Sequence, residues 1–183
     1  AQEGDWGGAI SCFIGFDHAI ACRAIHINIL TMRHPDGPQT PAEVMWERQF
    51  KEDQIMEDGY RTQQATKPQT LSYAMMDSPV GVVAWILEQM NSWSDTISDN
   101  VESVYTKDQL LTNIMVYIVT RIFNTASWIY YGRQEEGGRI LSPKGRRVEL
   151  PTASALFSRG MLSWPPRSYA ERLYNIRQWT LMP

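Results

Sequence analysis

The run Glu3-Gly4-Asp5-Trp6-Gly7 decides how this chain is read. A carboxylate stands between two glycines, a short stretch precedes it, and residues 6–21 follow with a helical pattern. A tight strand-to-helix turn needs small residues on either side of its apex, because the helix packs closely on the strand it has just left. Gly7 meets that need. Glu3, at the corresponding position before Asp5, does not. Taken alone, the string also describes a plain turn whose aspartate caps a helix, which is the commoner meaning of such strings.

Working outward, residues 24–30 alternate and are β-branched (Ile25, Ile27, Ile29), which predicts a strand. Residues 31–40 hold two prolines and a glycine and form a loop and domain junction. Three helices are expected next. Thr40-Pro41-Ala42-Glu43 supplies a cap, a proline at the first helical position and a glutamate three residues after the cap. That helix runs to about 58, with Trp46 and Phe50 on one face. Asp77-Ser78-Pro79 opens the second, where Val80, Val83, Ala84 and Leu87 recur at amphipathic spacing. Thr106-Lys107-Asp108-Gln109 is a capping box and opens the third, read as one helix from 107 to about 131, roughly 37 Å long. Leu111, Met115, Ile118, Ile122, Ala126 and Ile129 trace one of its faces, and burial on most sides is expected. Gly137-Gly138 and Ser142-Pro143-Lys144-Gly145 end the helical block. Arg147-Val148-Glu149-Leu150 predicts a strand broken at Pro151, residues 167–175 a helix, and Gln178-Trp179-Thr180-Leu181-Met182 a last strand. This order predicts an α/β chain with helices inserted between pieces of a parallel sheet. The expected division is core 1–38, helical insertion 39–136 and core 137–183.

Composition narrows the function. With 183 residues, 43 % hydrophobic and 20 % charged, the chain is globular and can bury one ordinary core. A net charge of −3 offers no clustered positive excess for a phosphate backbone, which argues against a nucleic-acid partner. The basic run Lys144-Gly145-Arg146-Arg147 reads as a solvated loop. Cys12 and Cys22 are too few for a disulfide framework or a structural zinc site, and Cys12, in an apolar run, reads as a buried free thiol. His18, His26 and His34 fall eight residues apart with no Cys or carboxylate to complete a ligand set, so neither metal nor cofactor is expected. No apolar stretch approaches the ~20 residues that span a bilayer, and no signal peptide is visible, so a cytoplasmic location is expected. The chain opens on Ala1 directly before the turn, which suggests a processed, truncated or partial chain.

Residues 60–95 read YRTQQATKPQTLSYAMMDSPVGVVAWILEQMNSWSD. Gln69-Thr70-Leu71, Asp77-Ser78-Pro79-Val80-Gly81, Ala84-Trp85-Ile86-Leu87-Glu88 and Trp93 make a long, specific block. It resembles the cap region of the epoxide hydrolase family that includes the microsomal and juvenile-hormone enzymes. Leu110-Leu111-Thr112-Asn113-Ile114-Met115-Val116-Tyr117 resembles the family's next cap helix. Val148-Glu149-Leu150-Pro151-Thr152 and Trp164-Pro165-Pro166-Arg167 fit its later segments. The resemblance covers essentially the whole chain and places it as a C-terminal portion starting at the nucleophile elbow. It implies a partial α/β-hydrolase sheet with a mainly helical cap inserted. It further implies a small apolar epoxide as substrate, in detoxification or aromatic hydrocarbon catabolism.

The family's chemistry has two steps. A carboxylate attacks an oxirane carbon to give an alkyl-enzyme ester, and a His-activated water hydrolyses the ester to a diol. An ionised carboxylate is already nucleophilic at neutral pH, whereas the leaving alkoxide is very basic and needs proton donors placed where its charge develops. The resemblance assigns Asp5 as nucleophile, Tyr60 and Tyr130 as the two phenols that hydrogen-bond the oxirane oxygen, and the Trp6 backbone N–H as half of the oxyanion hole. Tyr131 is a neighbour that the sequence does not separate from Tyr130.

Three departures stand against this. Glu3 replaces a small residue, Gly160 stands where the family has the acid that orients the catalytic His, and no His follows the last strand. The second-step pair is therefore not found in this sequence, and missing strands would expose apolar edges unless a second copy or a complementing chain covers them. Two alternatives follow: a non-hydrolytic relative that binds a small apolar ligand or opens or cyclises an epoxide, and an inactive fragment.

Overall fold

The computed structural model describes residues 1–138, 140–143 and 146–182. Its strands are β1 (Gln2–Glu3), β2 (Ile25–Ile27), β3 (Val148–Leu156) and β4 (Tyr174–Leu181). They form one sheet in that order, with every neighbouring pair parallel. Parallel neighbours cannot be joined by tight hairpins, so each connection is a crossover. α1 (Asp5–Asp17) links β1 to β2, and α8 (Arg167–Leu173) links β3 to β4. Between β2 and β3 come α2 (Pro41–Glu57), α3 (Gly59–Thr66), α4 (Pro68–Asp77), α5 (Pro79–Ser92), α6 (Lys107–Thr120) and α7 (Phe123–Glu135).

Two compact units result. The first comprises Ala1–Gln54, Arg139–Ser158 and Leu162–Pro183, and the second Ile55–Gly138 and Arg159–Met161. In the first, Ile25, Ile27 and Val148 of the strands join Cys12, Leu30, Met32, Tyr169, Leu173 and Tyr174 in one buried cluster. Cys12 is a free thiol, 1 % exposed, 2.8 Å from the Tyr174 hydroxyl, and burial pushes it up to about 11. Gly15 of α1 allows close approach to the sheet, since a Cβ there would lie 2.7 Å from Val148 Cγ1.

The helix starts follow the capping chemistry. Ser78 accepts from the Gly81 N–H, and Thr106 and Gln109 form a complete capping box. Thr40 accepts from the Glu43 N–H at 3.3 Å, and the Thr40 backbone in turn bonds the Glu43 carboxylate. It is 1 % exposed and accepts from the Gln39 N–H at 2.8 Å, the Ser168 hydroxyl at 2.8 Å and Arg172 Nη2 at 2.9 Å. Arg172 also donates to the Gly37 carbonyl at 2.8 Å, which ties the 31–40 loop to α8. Arg33 adds to this anchoring with its guanidinium 4.5 Å from the Phe50 ring.

Several expectations are corrected. The insertion holds six helices rather than three. The expected single helix from 107 to 131 breaks at Arg121, which adopts the left-handed conformation at φ 55 and ψ 32. The predicted stripe is not a buried one on either side of the break. Leu111 is 53 % exposed and Met115, Ile122 and Ile129 are also exposed, while Leu110 and Ile114 are the buried residues of α6. In α5 the buried residue is Val82, and Val80, in the first turn, faces solvent at 76 % exposure. The strand expected to break at Pro151 continues to Leu156, with Pro151 beside a register shift against β4 of the kind that accommodates a proline in a strand. The strand read over 24–30 is ordered as strand only at Ile25–Ile27, and the last strand begins earlier, at Tyr174. Gly137 and Gly138, at φ 102 and 77, do end the helical block. Of the basic run, Lys144 and Gly145 lie outside the described residues. Arg146 pairs with Asp17 at 3.3 Å and Arg147 with Glu149 at 2.8 Å.

Burial alone would push the Glu43 carboxyl up, but its hydrogen bonds and the Arg172 charge outweigh that and hold it below the ordinary glutamate range. A carboxyl lowered in the folded state stabilises fully above its unfolded value, about 4.3, and that contribution is lost as pH falls through the folded value. Glu43→Gln is expected to cost about 2–3 kcal/mol at neutral pH. Urea melts at pH 7 and pH 3 check this, the gap between the two proteins narrowing at pH 3. Arg121→Gly relieves a left-handed residue and is expected to raise stability by about 0.5–1 kcal/mol, read as a higher Tm in calorimetry.

Candidate active site

β1 ends at Glu3 and the chain turns directly into α1. Gly4 is the N-cap, extended at φ −127 and ψ 176, and its carbonyl accepts from the Gly8 N–H at 3.0 Å. Asp5 follows at φ 45, a left-handed value that costs a non-glycine residue about 1–2 kcal/mol. Asp5 is therefore not the helix cap. It sits at the apex of a strained strand-to-helix turn that projects its side chain outward. A Cβ at Gly7 would lie 2.5 Å from Glu3 Oε2 and 3.2 Å from Glu3 Cβ. The large residue at position 3 is accommodated because Gly7 leaves room for its side chain.

The Asp5 carboxyl is pushed above the ordinary aspartate range by desolvation, opposed by a hydrogen bond with the Trp6 backbone. The residue is exposed at the surface, so this carboxyl is crowded without being sealed.

In the second unit, α3 and α4 pack on α7. That packing brings Tyr60 of α3 and Tyr130 of α7 together, ring centroids 5.9 Å apart and nearly perpendicular. Tyr131 points elsewhere and pairs with Trp128 at 5.4 Å. The Tyr60 ring also meets Trp93 edge-on at 5.1 Å. The Tyr60 hydroxyl donates to the Met161 sulfur at 2.8 Å. Trp93 is itself fixed, its indole N–H donating to Glu57 Oε2 at 2.8 Å while Ser92 donates to Oε1 at 2.9 Å. Arg61 is ion-paired with Asp58, which raises the guanidinium above its ordinary value; smaller contributions from Tyr60 and Tyr130 place its charge within electrostatic reach of both phenols.

The sequence did not single out Glu57 or Met161 for this site. Glu57 carries a weak signal, being one turn before Tyr60, but the Met161 contact crosses a hundred residues and had none. The histidines stand apart from one another. His18 caps the end of α1, His26 lies in β2, and His34 Nδ1 accepts from the Asp36 N–H at 3.2 Å. A Cβ at Gly160 would meet nothing within 4 Å.

Comparison with known proteins gives the context. A protein of Stigmatella aurantiaca (strain DW4/3-1), provisionally named an epoxide hydrolase, is 32 % identical over 178 residues, 96 % of this chain and 39 % of that protein. Juvenile hormone epoxide hydrolase 2 of Ctenocephalides felis is 33 % identical over 134 residues, 70 % of this chain and 29 % of the relative. The crystal structure of juvenile hormone epoxide hydrolase from the silkworm Bombyx mori superposes with a TM-score of 0.77 at 24 % identity, over 99 % of this chain and 42 % of that one. The chain belongs to the epoxide hydrolase family of α/β-hydrolases. No family model matches it. The epoxide hydrolase fold accounts for the parallel sheet and the inserted helices, and this chain spans about two fifths of the length of the Stigmatella and silkworm proteins.

A carboxyl raised in the folded state weakens folding as pH climbs past its unfolded value, about 3.9, and the penalty is complete above the folded value. Asp5→Asn removes that penalty while tolerating the left-handed turn. The expected result is a Tm above that of the parent chain at pH 7, with the gain fading at pH 3, measured by thermal melts at both values.

Proposed function

We propose that this chain carries the ester-forming half of an epoxide hydrolase reaction on a small apolar epoxide. The observation that supports it most is the turn at Asp5, where a non-glycine residue held at φ 45 presents a carboxylate at a strand–helix junction. One Asp5 oxygen attacks an oxirane carbon, the carbon–oxygen bond of the ring breaks, and the oxygen leaves as an alkoxide. Tyr60 or Tyr130 gives that alkoxide its proton, and the other phenol holds it by a hydrogen bond. The pairing of the Tyr60 and Tyr130 rings supports Tyr130 over Tyr131 in this role. Hydrolysis of the ester needs a base that this half does not supply. That base takes a proton from water as it attacks the ester carbonyl carbon, and the substrate leaves as the diol. The Trp6 backbone N–H, already bonded to the Asp5 carboxyl, stabilises the negative charge that then develops on the Asp5 oxygen.

A second reading has one observation in its favour. Gly160 stands in open space where the resemblance expects the His-orienting acid. A relative that binds or opens an epoxide without forming the ester would then keep its activity in Asp5→Asn and lose it in Tyr60→Phe.

Incubation with a small aryl epoxide, followed by intact-mass measurement and peptide mapping, tests the first reading. One adduct per chain on Asp5 is expected, absent in Asp5→Asn and formed on the order of 10²-fold more slowly in Tyr60→Phe. A folded chain that gains no mass, or an adduct that persists in Asp5→Asn, would refute it.

A further inference from the structure

The loop after β3 carries a feature that the proposed chemistry leaves unused. Its glycine, Gly160, carries no functional side chain, yet the next residue reaches Tyr60. Met161 Sδ accepts the Tyr60 hydroxyl at 2.8 Å. We propose that Met161 is a placeholder acceptor for the Tyr60 phenol, holding its proton in the free site and releasing it to the oxygen of a bound epoxide. This rests on the reading of Tyr60 as a proton donor to that oxygen.

The chemistry of the acceptor carries the argument. A phenol has one proton to donate. Tyr60 is partly enclosed, with Trp93 at 5.1 Å and Tyr130 at 5.9 Å, both edge-on, so its hydroxyl benefits from a partner. A carboxylate or carbonyl there would satisfy the proton but would outcompete an epoxide oxygen, which is a neutral ether. A thioether is a weak acceptor on a flexible stem. It fixes where the proton points while yielding to any better acceptor. As the ring opens, the oxygen becomes an alkoxide and the sulfur no longer competes. The surrounding contacts keep the ring in place during the exchange. Trp93 is anchored on Glu57. Met161 is thus a positioning residue that acts through Tyr60.

Two variants separate this role from simple packing. Met161→Leu keeps an apolar side chain of similar volume and removes the acceptor. Met161→Gln offers an amide that competes with the epoxide oxygen. Tyrosine labelled with ¹³C at Cζ, with Tyr60 assigned by the Tyr60→Phe spectrum, reports the hydrogen bond directly. The Tyr60 resonance is expected to differ between the parent chain and Met161→Leu when free, and to converge when Asp5→Asn backgrounds of both are saturated with an aryl epoxide. In adduct formation, Met161→Gln is expected to raise the half-saturating epoxide concentration roughly tenfold, with Met161→Leu within about threefold of the parent. Identical free resonances in the parent and Met161→Leu overturn the placeholder, as do resonances that stay apart with epoxide bound. Either result leaves the Asp5 adduct assay standing, and an absent adduct does not alter the free-state comparison.

Discussion

Everything in the first unit depends on the parallel pairing of β2 with β3. Ile25 stands opposite Thr152 and Ile27 opposite Ser154, although the whole helical insertion lies between them in the chain. Such a contact gains nothing until a long loop has been closed, so it must be secured by burial rather than by local preference. Ile25, Ile27 and Val148 are each buried, and α1 and α8 cover the sheet with Cys12, Tyr169 and Leu173. β1 needs only two residues in the sheet, because its partner β2 is already fixed on the other side. The turn at Asp5 can then hold a costly backbone conformation, since β1 and α1 are each anchored before the strain is imposed.

The sequence disclosed the elements where signals are local and concealed them where packing decides. Ser78 and Thr106 were legible because a cap is settled within four residues. The strand-to-helix turn at Asp5 was legible only with the resemblance beside it, since the string alone more often describes a capping aspartate. Arg121 was not, since arginine is a good helix former and nothing near it signals a left-handed residue. The apolar stripe of α6 was drawn on the wrong face because apolar residues surround the helix and packing alone selects Leu110 and Ile114. Pro151 misled in the opposite sense. Proline ends most strands, and only the register of β4 beside it shows why this one continues. Of the site, Tyr60 and Tyr130 came from resemblance. Their mutual contact depends on α3 meeting α7, which no spacing along the chain encodes.

Glu43 shows how a capping motif can serve a second purpose. The Thr-Pro-Ala-Glu string starts α2 as its composition demands, and Thr40 does receive the expected N–H. The glutamate also meets Arg172, a charged partner, in a site where its carboxylate is 1 % exposed. A reciprocal cap alone would satisfy one backbone N–H. The observed arrangement adds a second backbone N–H, a serine hydroxyl and a guanidinium, and joins a loop to two helices. A buried carboxylate needs several partners to remain ionised, so the cap is one part of a larger network.

The two units hold their key side chains by different physics. The first uses directional, charge-assisted bonds: Glu43 with Arg172, and the Asp5 carboxyl with the Trp6 backbone. The second holds Tyr60 with ring edges and a sulfur, while the Glu57 carboxylate anchors Trp93. That division suits the roles proposed for them. A nucleophile gains from a fixed aim, because misdirection lowers the fraction of productive encounters. A proton donor gains from partners too weak to retain its proton, because a strong acceptor in the free site subtracts from the stabilisation of the alkoxide. A thioether partner for Tyr60 suits that requirement, because it orients the phenol proton without holding it as a carboxylate would.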